Sequence, residues 1–360
     1  MPLRRGKPLQ FKELSLEQRR RLVDVQQAAE TLRSAEAEKD RRFSGSMAWK
    51  SRSGLDYLYR RHANIEKSLG PRSPETEAAY EAFGSGKVLA QQQVAGLKLR
   101  LEGMAAVNRA MELGRVPLTV ARILRRLDAT GLLGDQVCVV GTNALFAYEA
   151  MAGLHFGTGL LATDDLDIAL DARKNLTLAG RLLPAGLIGV LQQVDRSFAL
   201  LGEGHYRAAN AAGMLVDLIT PEPRDRMKAF PVRKRRLGGS PDPVPGDLTA
   251  AEVPRLEMIV DAPRVTSVAL DERGLPVAVS AADPRWWAAH KLWLARQGDR
   301  EPLKRSRDHA QGMAVAGMLA GHWASLDVSD GALASIPSAL RERLRAAISA
   351  GEEARSAAEW

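Results

Sequence analysis

Two stretches of sequence decide the fold: Val137-Cys-Val-Val-Gly-Thr-Asn-Ala-Leu-Phe-Ala-Tyr-Glu-Ala-Met-Ala-Gly153 and Thr163-Asp-Asp-Leu-Asp-Ile-Ala-Leu170. The first predicts a buried strand, then a glycine turn that opens an apolar helix. The second predicts another strand with Asp165 and Asp167 on one face, because alternate residues of a strand share a face and lie about 7 Å apart. Two neighbouring carboxylates repel each other unless a cation lies between them. The pair is therefore a candidate metal site.

Length and composition set the broad class of the protein. The chain has 360 residues, enough for two or three compact units. We expect no signal peptide and no membrane span, because no run approaches the roughly 18 apolar residues that crossing a bilayer requires. A single cysteine, Cys138, leaves no disulfide framework and favours a cytoplasmic location. Lysine and arginine outnumber acids 51 to 43, which favours polyanionic partners such as nucleic acid or nucleotides.

The N-terminal part of the chain predicts mostly helices. Residues 14–42 are polar with an irregular apolar stripe and predict a surface helix or arm. The sequence Ser73-Pro-Glu-Thr76 has the capping serine, the proline and the early acid of a helix start. We expect that helix to end at Gly84, and further helices to follow over 87–112 and 118–131.

A hairpin is predicted over residues 47–61, with its turn at Ser51–Gly54. Its aromatic residues are interleaved with basic ones, a composition that can stack on and neutralise a nucleic-acid strand. Aromatic residues packed inward in a small sheet are the alternative, which we favour. The residues concerned are Trp49, Tyr57 and Tyr59 with Lys50, Arg52, Arg60 and Arg61.

A third acid lies in a later strand. The run Met214-Leu-Val-Asp-Leu-Ile-Thr220 places Asp217 among apolar residues. Buried acids are rare unless they are paired or bind a metal, so we expect Asp217 to share a cation with the Asp165–Asp167 pair. Exposed strand-end acids without a metal are the alternative. A shift of register would replace Asp165 by Asp164, but the two-residue spacing to Asp167 favours Asp165.

The remaining segments predict loops, short strands and a helical lobe. We expect helical or loop segments over 173–183 and 186–193, a strand over 196–201, a basic loop over 224–250, a strand pair over 255–280, and helices over 284–297, 301–320 and 336–358. Lys304 and Asp308 are four residues apart, a spacing that predicts a salt bridge on a helix face. The alternative is that Lys291 or Lys304 contacts a triphosphate. The tryptophans of this lobe are predicted to form its core. The histidines have no zinc-site spacing.

Three carboxylates beside a glycine turn suit phosphoryl or nucleotidyl transfer. Mg²⁺ (or Mn²⁺) takes oxygen ligands from a few carboxylates and from substrate phosphates, and two such ions can clamp the attacking and leaving oxygens. Asp165 and Asp167 would hold the metals, while Asp217 would complete the second site and help deprotonate the attacking hydroxyl. Gly141 lets the backbone approach a triphosphate, and Thr142 with Asn143 would bind phosphate oxygens at a helix start.

These residues resemble the signature of the DNA polymerase beta-like nucleotidyltransferase superfamily, a glycine turn followed by Asp-x-Asp and a third Asp on a later strand. The chain is also similar over roughly residues 45–320 to a bacterial group of nucleotidyltransferase-fold proteins. The turn here is Gly-Thr rather than Gly-Gly or Gly-Ser, and the spacing from Gly141 to Asp165 is longer than in minimal members. The further matching positions are Trp49-Lys50, Tyr57-Leu-Tyr59, Ser68–Thr76, Val140–Leu145, His290-Lys291-Leu292, Lys304, Arg307-Asp308 and Gln311.

The sequence thus predicts an α/β (α+β) fold with a mixed sheet flanked by helices. Four segments are expected: a helical arm (1–45), a hairpin with helices (46–114), a nucleotidyltransferase core (115–280) and a C-terminal helical lobe (281–360). We expect a magnesium-dependent enzyme that moves a nucleoside monophosphate from a nucleoside triphosphate to a hydroxyl of RNA, a protein or a small molecule, releasing pyrophosphate. Two alternatives stay open: a non-catalytic module that binds nucleotide or nucleic acid, and a toxin or phage-defence enzyme that acts on tRNA. No acceptor, base preference or oligomeric state follows from these patterns.

Overall fold

A computed structural model describes residues 11–62, 65–171, 186–202, 205–222, 246–321 and 326–356 of the chain. The chain divides into two compact units. The large unit comprises Met1–Arg19, Gly114–Glu272 and Val277–Trp360, and the small unit comprises Arg20–Leu113 and Arg273–Pro276. The segment predicted over 173–183, and most of the basic loop predicted over 224–250, lie outside the described residues.

Strands and helices alternate along much of the chain. The strands are β1 (Phe11–Glu13), β2 (Ser46–Arg52), β3 (Leu55–His62), β4 (Ile65–Pro71), β5 (Val137–Val140), β6 (Leu154–Phe156), β7 (Asp165–Leu170), β8 (Ala199–Leu201), β9 (Arg207–Ala209), β10 (Leu215–Pro221), β11 (Ala251–Val253), β12 (Arg264–Leu270) and β13 (Pro276–Ala282). The helices are α1 (Leu16–Phe43), α2 (Pro74–Ala110), α3 (Leu118–Ala129), α4 (Leu145–Ala152), α5 (Thr158–Leu161), α6 (Gly186–Val194), α7 (Glu257–Val260), α8 (Pro284–Leu294), α9 (Pro302–Gly321) and α10 (Ser338–Ser356). Among the described helices, none is long and apolar enough to cross a membrane.

The small unit combines long helices with a three-stranded antiparallel sheet. The predicted hairpin is confirmed as β2 and β3, and β4 adds a third strand, giving the order β2-β3-β4. The helix start at Ser73 is also confirmed. The Ser73 side chain accepts a hydrogen bond from the Thr76 amide, and the Thr76 hydroxyl accepts one from the Ser73 amide. This reciprocal cap satisfies two backbone amides that a helix start otherwise leaves unpaired.

The predicted break at Gly84 is wrong, because α2 runs without interruption from Pro74 to Ala110. A second glycine in this helix, Gly86, has a packing role. A Cβ atom at Gly86 would lie 2.5 Å from ring carbons of Phe43, at the end of α1. Glycine therefore allows close packing at this point, and the helix bears the propensity cost of about 1 kcal/mol that an interior glycine carries.

The large unit is built on a mixed sheet, so the predicted α/β fold class is confirmed. Its eight described strands follow the order β12-β13-β5-β7-β10-β9-β8, with β11 beside β10. The central strand β7 is antiparallel to β5 and parallel to β10. Leu166, Ile168 and Leu170 face the main hydrophobic core, as the alternation predicted, and leave Asp165 and Asp167 on the other face.

The C-terminal helices α8, α9 and α10 belong to the large unit and pack on the same core as the sheet. Their predicted positions are confirmed to within a few residues. Trp287 is buried and its ring meets that of Tyr148 edge-on at 5.6 Å, so this tryptophan is a core residue as predicted. Trp286 and Trp293 are partly buried at the edge of the core.

Candidate active site

The three predicted acids line one cleft of the large unit. Asp165 and Asp167 share a face of β7, and the parallel register of β10 places Asp217 directly beside Asp167. The cleft has a volume of about 280 Å³, and Gly141 and Thr142 also line it. The sequence stretches that decide the fold therefore also bring together the carboxylates and the glycine turn.

Gly141 is held in a conformation that suits glycine alone. Its φ of +64° lies in the left-handed region, at the point where β5 ends and the turn to α4 begins. A Cβ atom at this position would lie 2.3 Å from Oδ2 of Asp167. The bare backbone therefore lets the Asp167 carboxylate lie against the turn.

The next two residues are both buried but have different roles. Thr142 lines the cleft, and its hydroxyl accepts a hydrogen bond of 3.1 Å from Nε2 of Gln311, on α9. Asn143 donates from Nδ2 to the Asp165 carbonyl at 2.7 Å. The Asn143 side chain is not one of the described groups that line the cleft. It ties the turn to the start of β7, so it positions the acids.

Asp167 carries a poorly compensated charge. Burial and the neighbouring carboxylates Asp165 and Asp217 raise its pKa to about 7, although Lys291 and Arg307 oppose the shift. Like charges this close cannot all ionise without cost unless a cation joins them. This electrostatic environment is typical of functional sites.

Asp217 has a partner that the sequence interpretation missed. The Arg207 guanidinium donates from Nε to Oδ1 of Asp217 at 2.6 Å and from Nη2 to Oδ2. The structure shows this ion pair in addition to the predicted shared cation, which stays a prediction. The Asp217 carboxylate in turn raises the pKa of Arg207. Among the described residues, no group of three or more acidic, histidine or cysteine side chains is arranged to hold a metal ion.

Arg207 was missed because β9, which carries it, has only three residues, Arg-Ala-Ala, a run too short to predict a strand. It lies directly across from Asp217 in the antiparallel β9–β10 pair. A buried acid needs a partner, and an arginine shortly before it across a turn was the only available signal.

Basic side chains form another part of the cleft lining. Lys291 is buried and donates to Oδ1 of Asp308 at 2.8 Å, while Arg300 donates from Nε to the other oxygen. These cations lower the pKa of Asp308 although burial opposes the shift. Burial, together with the nearby Lys291, lowers the pKa of His290 to about 3, so this histidine is uncharged at neutral pH.

The predicted salt bridge between Lys304 and Asp308 is wrong. Nζ of Lys304 lies 3.4 Å from a carboxylate oxygen of Glu301, in an exposed pair, and Asp308 binds Lys291 and Arg300 instead. Both Lys291 and Lys304 line the cleft together with Arg300 and Arg307. The two lysines predicted to bind nucleotide therefore line the same cleft as the acids. Lys291 is buried and ion-paired, and Lys304 lies at the surface.

One comparison with known proteins gives a family for the chain. A family model described as nucleotidyltransferase matches residues 119–335, a span that includes every residue lining the cleft. Among solved structures, the chain is similar to an antigenic nucleotidyltransferase-like protein from Paracoccidioides brasiliensis, at 19% identity over 64% of this chain and 91% of that chain. The TM-score of that match is 0.29, which supports no inference. No curated protein matches the chain.

Proposed function

The chain belongs to the nucleotidyltransferase family, and we propose that it moves a nucleoside monophosphate from a nucleoside triphosphate to an acceptor hydroxyl. One observation carries the proposal beyond the family. Asp165, Asp167 and Asp217 meet in one cleft with the glycine turn at Gly141, and basic side chains line the same cleft. Nucleotidyl transfer requires carboxylates that hold a metal cation and basic side chains that bind the triphosphate.

The paired carboxylates of β7 suit Mg²⁺ or Mn²⁺, which takes few protein ligands and completes its oxygen shell with water and substrate phosphates. Asp165 and Asp167 offer hard oxygen ligands, and the raised pKa of Asp167 reflects a repulsion that a cation would relieve. Both oxygens of Asp217 accept hydrogen bonds from Arg207, and each keeps lone pairs through which it would contribute. When bound, the ion would polarise the phosphoryl oxygens and offset the charge that develops on them.

The protein's own groups would bind the triphosphate and orient its α-phosphate. The turn at Gly141 leaves backbone open to phosphate oxygens, with the Thr142 hydroxyl beside it. Lys304 and Arg307 would offset the charge of the leaving pyrophosphate. The acceptor oxygen forms a bond to the α-phosphorus as the bond to the bridging oxygen breaks. The acceptor proton passes to a cleft carboxylate, a role that we assign to Asp217.

The first prediction tests the paired acids. We expect Asp165→Asn and Asp167→Asn each to lower pyrophosphate release by at least about 100-fold, because each removes a charge that would hold the cation. The assay supplies each of the four ribonucleoside triphosphates with Mg²⁺. Asp164→Asn is the matched control, since Asp164 is the exposed neighbour of Asp165. Equal rates in the control and in both variants would contradict the proposal.

A non-catalytic nucleotide-binding module is the second candidate, and the Arg207–Asp217 ion pair favours it. The arginine already neutralises the third carboxylate. A module of this kind would bind a labelled triphosphate and release no pyrophosphate under any of these conditions. Release that depends on Asp167 would exclude it.

A further inference from the structure

The sheet of the small unit has two chemically different faces. On the first face, Trp49 and Leu58 are cross-strand partners, and Leu58 is fully buried. The Trp49 ring lies 6.0 Å from the ring of Tyr80 on α2, and the Arg60 guanidinium lies 5.1 Å from the centre of the Phe83 ring on the same helix. This face therefore packs against α2.

The second face carries two tyrosines and three basic side chains. Tyr57 and Tyr59 alternate with the buried Leu58 and so point the other way. Cross-strand pairing puts Lys50 opposite Tyr57 on this face, and Nζ of Lys50 lies 5.4 Å from the centre of the Tyr59 ring. The register also places Arg61 and Arg52 on this face, where both are exposed. The prediction of inward-packed aromatics is thus confirmed for Trp49 and wrong for the two tyrosines.

Charge on this second face is predominantly positive. Among its described residues the acid is Glu66, the cross-strand partner of Arg61, and it binds Lys50 at 2.6 Å. The three basic groups therefore exceed the acidic charge by two. A polyanion complements this face better than an acidic or apolar surface of similar size would, because it can neutralise several cations along one line.

We propose that this face, defined by Tyr57, Tyr59, Lys50, Arg52 and Arg61, binds a single-stranded polynucleotide. Residues two apart on a strand are separated by about 7 Å, roughly twice the rise of about 3.4 Å per nucleotide in a stacked strand. The two rings therefore suit bases that are pulled apart in an extended single strand. Each base stacks on one tyrosine while the basic side chains contact phosphates.

The half-buried state of the tyrosines supports this role. Both tyrosines are half-buried, and Lys50 lies over the ring of Tyr59. A ring that is already held in place loses little conformational entropy when a base stacks on it. The inference does not depend on the transfer reaction, because it concerns a different unit from the acidic cleft.

The test uses the full chain and fluorescence anisotropy with a labelled 12-nucleotide oligo(U). Tyr57→Leu and Tyr59→Leu should each weaken binding by about 5- to 150-fold, the range expected when one base no longer stacks on a ring. Tyr57→Phe and Tyr59→Phe keep the rings and should bind as the wild type does. Tyr80→Leu removes an aromatic ring on the helix side and serves as the matched control.

Further arms separate the sources of a signal. Oligo(dT) of the same length distinguishes DNA from RNA, and a duplex of the same length should bind more weakly than either single strand. Arg52→Gln with Arg61→Gln should make the plot of log affinity against log salt concentration shallower, by about 0.7 for each phosphate that the variant no longer neutralises. Unchanged affinity for oligo(U) in both leucine variants would overturn the inference. So would a duplex and polyglutamate, an acidic polymer without bases, that both bind as tightly as oligo(U) does.

Discussion

Two groups of charged residues contribute side chains to the same cleft and differ in how their charge is balanced. In the group Lys291–Asp308–Arg300, the buried carboxylate accepts hydrogen bonds from both cations. In the pair Asp165–Asp167, burial and neighbouring acids raise the pKa of Asp167 to about 7. The difference indicates separate roles. A balanced buried group holds the fold together, whereas an unbalanced one is available for a ligand that supplies the missing charge.

The largest effect on stability is expected when the balanced group is broken. Asp308→Asn would leave Lys291 buried without its counter-charge, so the free energy of unfolding should fall by about 3–5 kcal/mol. Urea denaturation measures this loss. Glu301→Gln is the control, because Glu301 forms an exposed ion pair with Lys304 and its loss should cost at most about 1 kcal/mol.

Asp167→Asn should act in the opposite direction in the same urea experiment. Removing one of three neighbouring acids relieves repulsion, so stability should stay equal or rise. A loss as large as that of Asp308→Asn would show that the Asp167 charge is structural, and the contrast between the two groups would disappear.

Glu149 on α4 is an intermediate case that sharpens the comparison. It accepts hydrogen bonds from the Phe156 amide at 2.7 Å and from Arg115 at 3.1 Å, yet burial raises its pKa to about 7. The folded state therefore binds more protons than the unfolded state between about pH 4.5 and 7. The stabilisation by the neutral form is fully present below pH 4.5 and is lost as the pH rises through 7.

Glu149→Gln, which stays neutral, should remove this dependence. Relative to the wild type, the variant should gain stability by up to roughly 3 kcal/mol as the pH rises from 4.5 to 7, and the difference should level off above that range. Denaturant unfolding at a series of pH values gives the difference directly. A difference that stays constant across the range would place the pKa of Glu149 near its ordinary value.

A different test applies to the turn that carries the acids. In Gly141→Ala the alanine must adopt a left-handed φ, and its methyl group overlaps the Asp167 carboxylate. In Gly213→Ala the alanine must adopt a φ of +85°, but its methyl group has open space around it. Each should lose about 1–2 kcal/mol for the backbone, and Gly141→Ala should lose about 1–3 kcal/mol more for the overpacking. Pyrophosphate release should fall only in Gly141→Ala. Equal losses in the two variants would show that Asp167 moves aside freely.

The acid-bearing strand β7 was predicted correctly because neighbouring residues along the chain determine its structure. Alternation alone fixed which face of β7 carries Asp165 and Asp167, and the apolar run with its glycine fixed the turn at Gly141. The ion-pair partners of buried charged residues were harder to predict. Asp308 binds Lys291, 17 residues away, and Asp217 binds Arg207 across a strand pair. Such pairs depend on tertiary packing, which spacing along the chain does not encode.

The helix break predicted at Gly84 was wrong for a related reason. An interior glycine costs a helix only about 1 kcal/mol, so Gly84, which has open space around it, does not end α2. Gly86, two residues later, is needed where α2 packs on the ring of Phe43. The outward direction of Tyr57 and Tyr59 was equally hidden, since a hairpin with aromatic residues on both faces does not show which face α2 will cover.

The central claim is that the unbalanced acids of the cleft bind a cation together with a triphosphate. Thermal unfolding with Mg²⁺ and a non-hydrolysable nucleoside triphosphate tests it without knowledge of the acceptor. We predict that the wild type and Asp164→Asn gain several degrees in Tm only when both ligands are present, and that Asp167→Asn gains none. An equal rise in Tm for Asp167→Asn would contradict the claim.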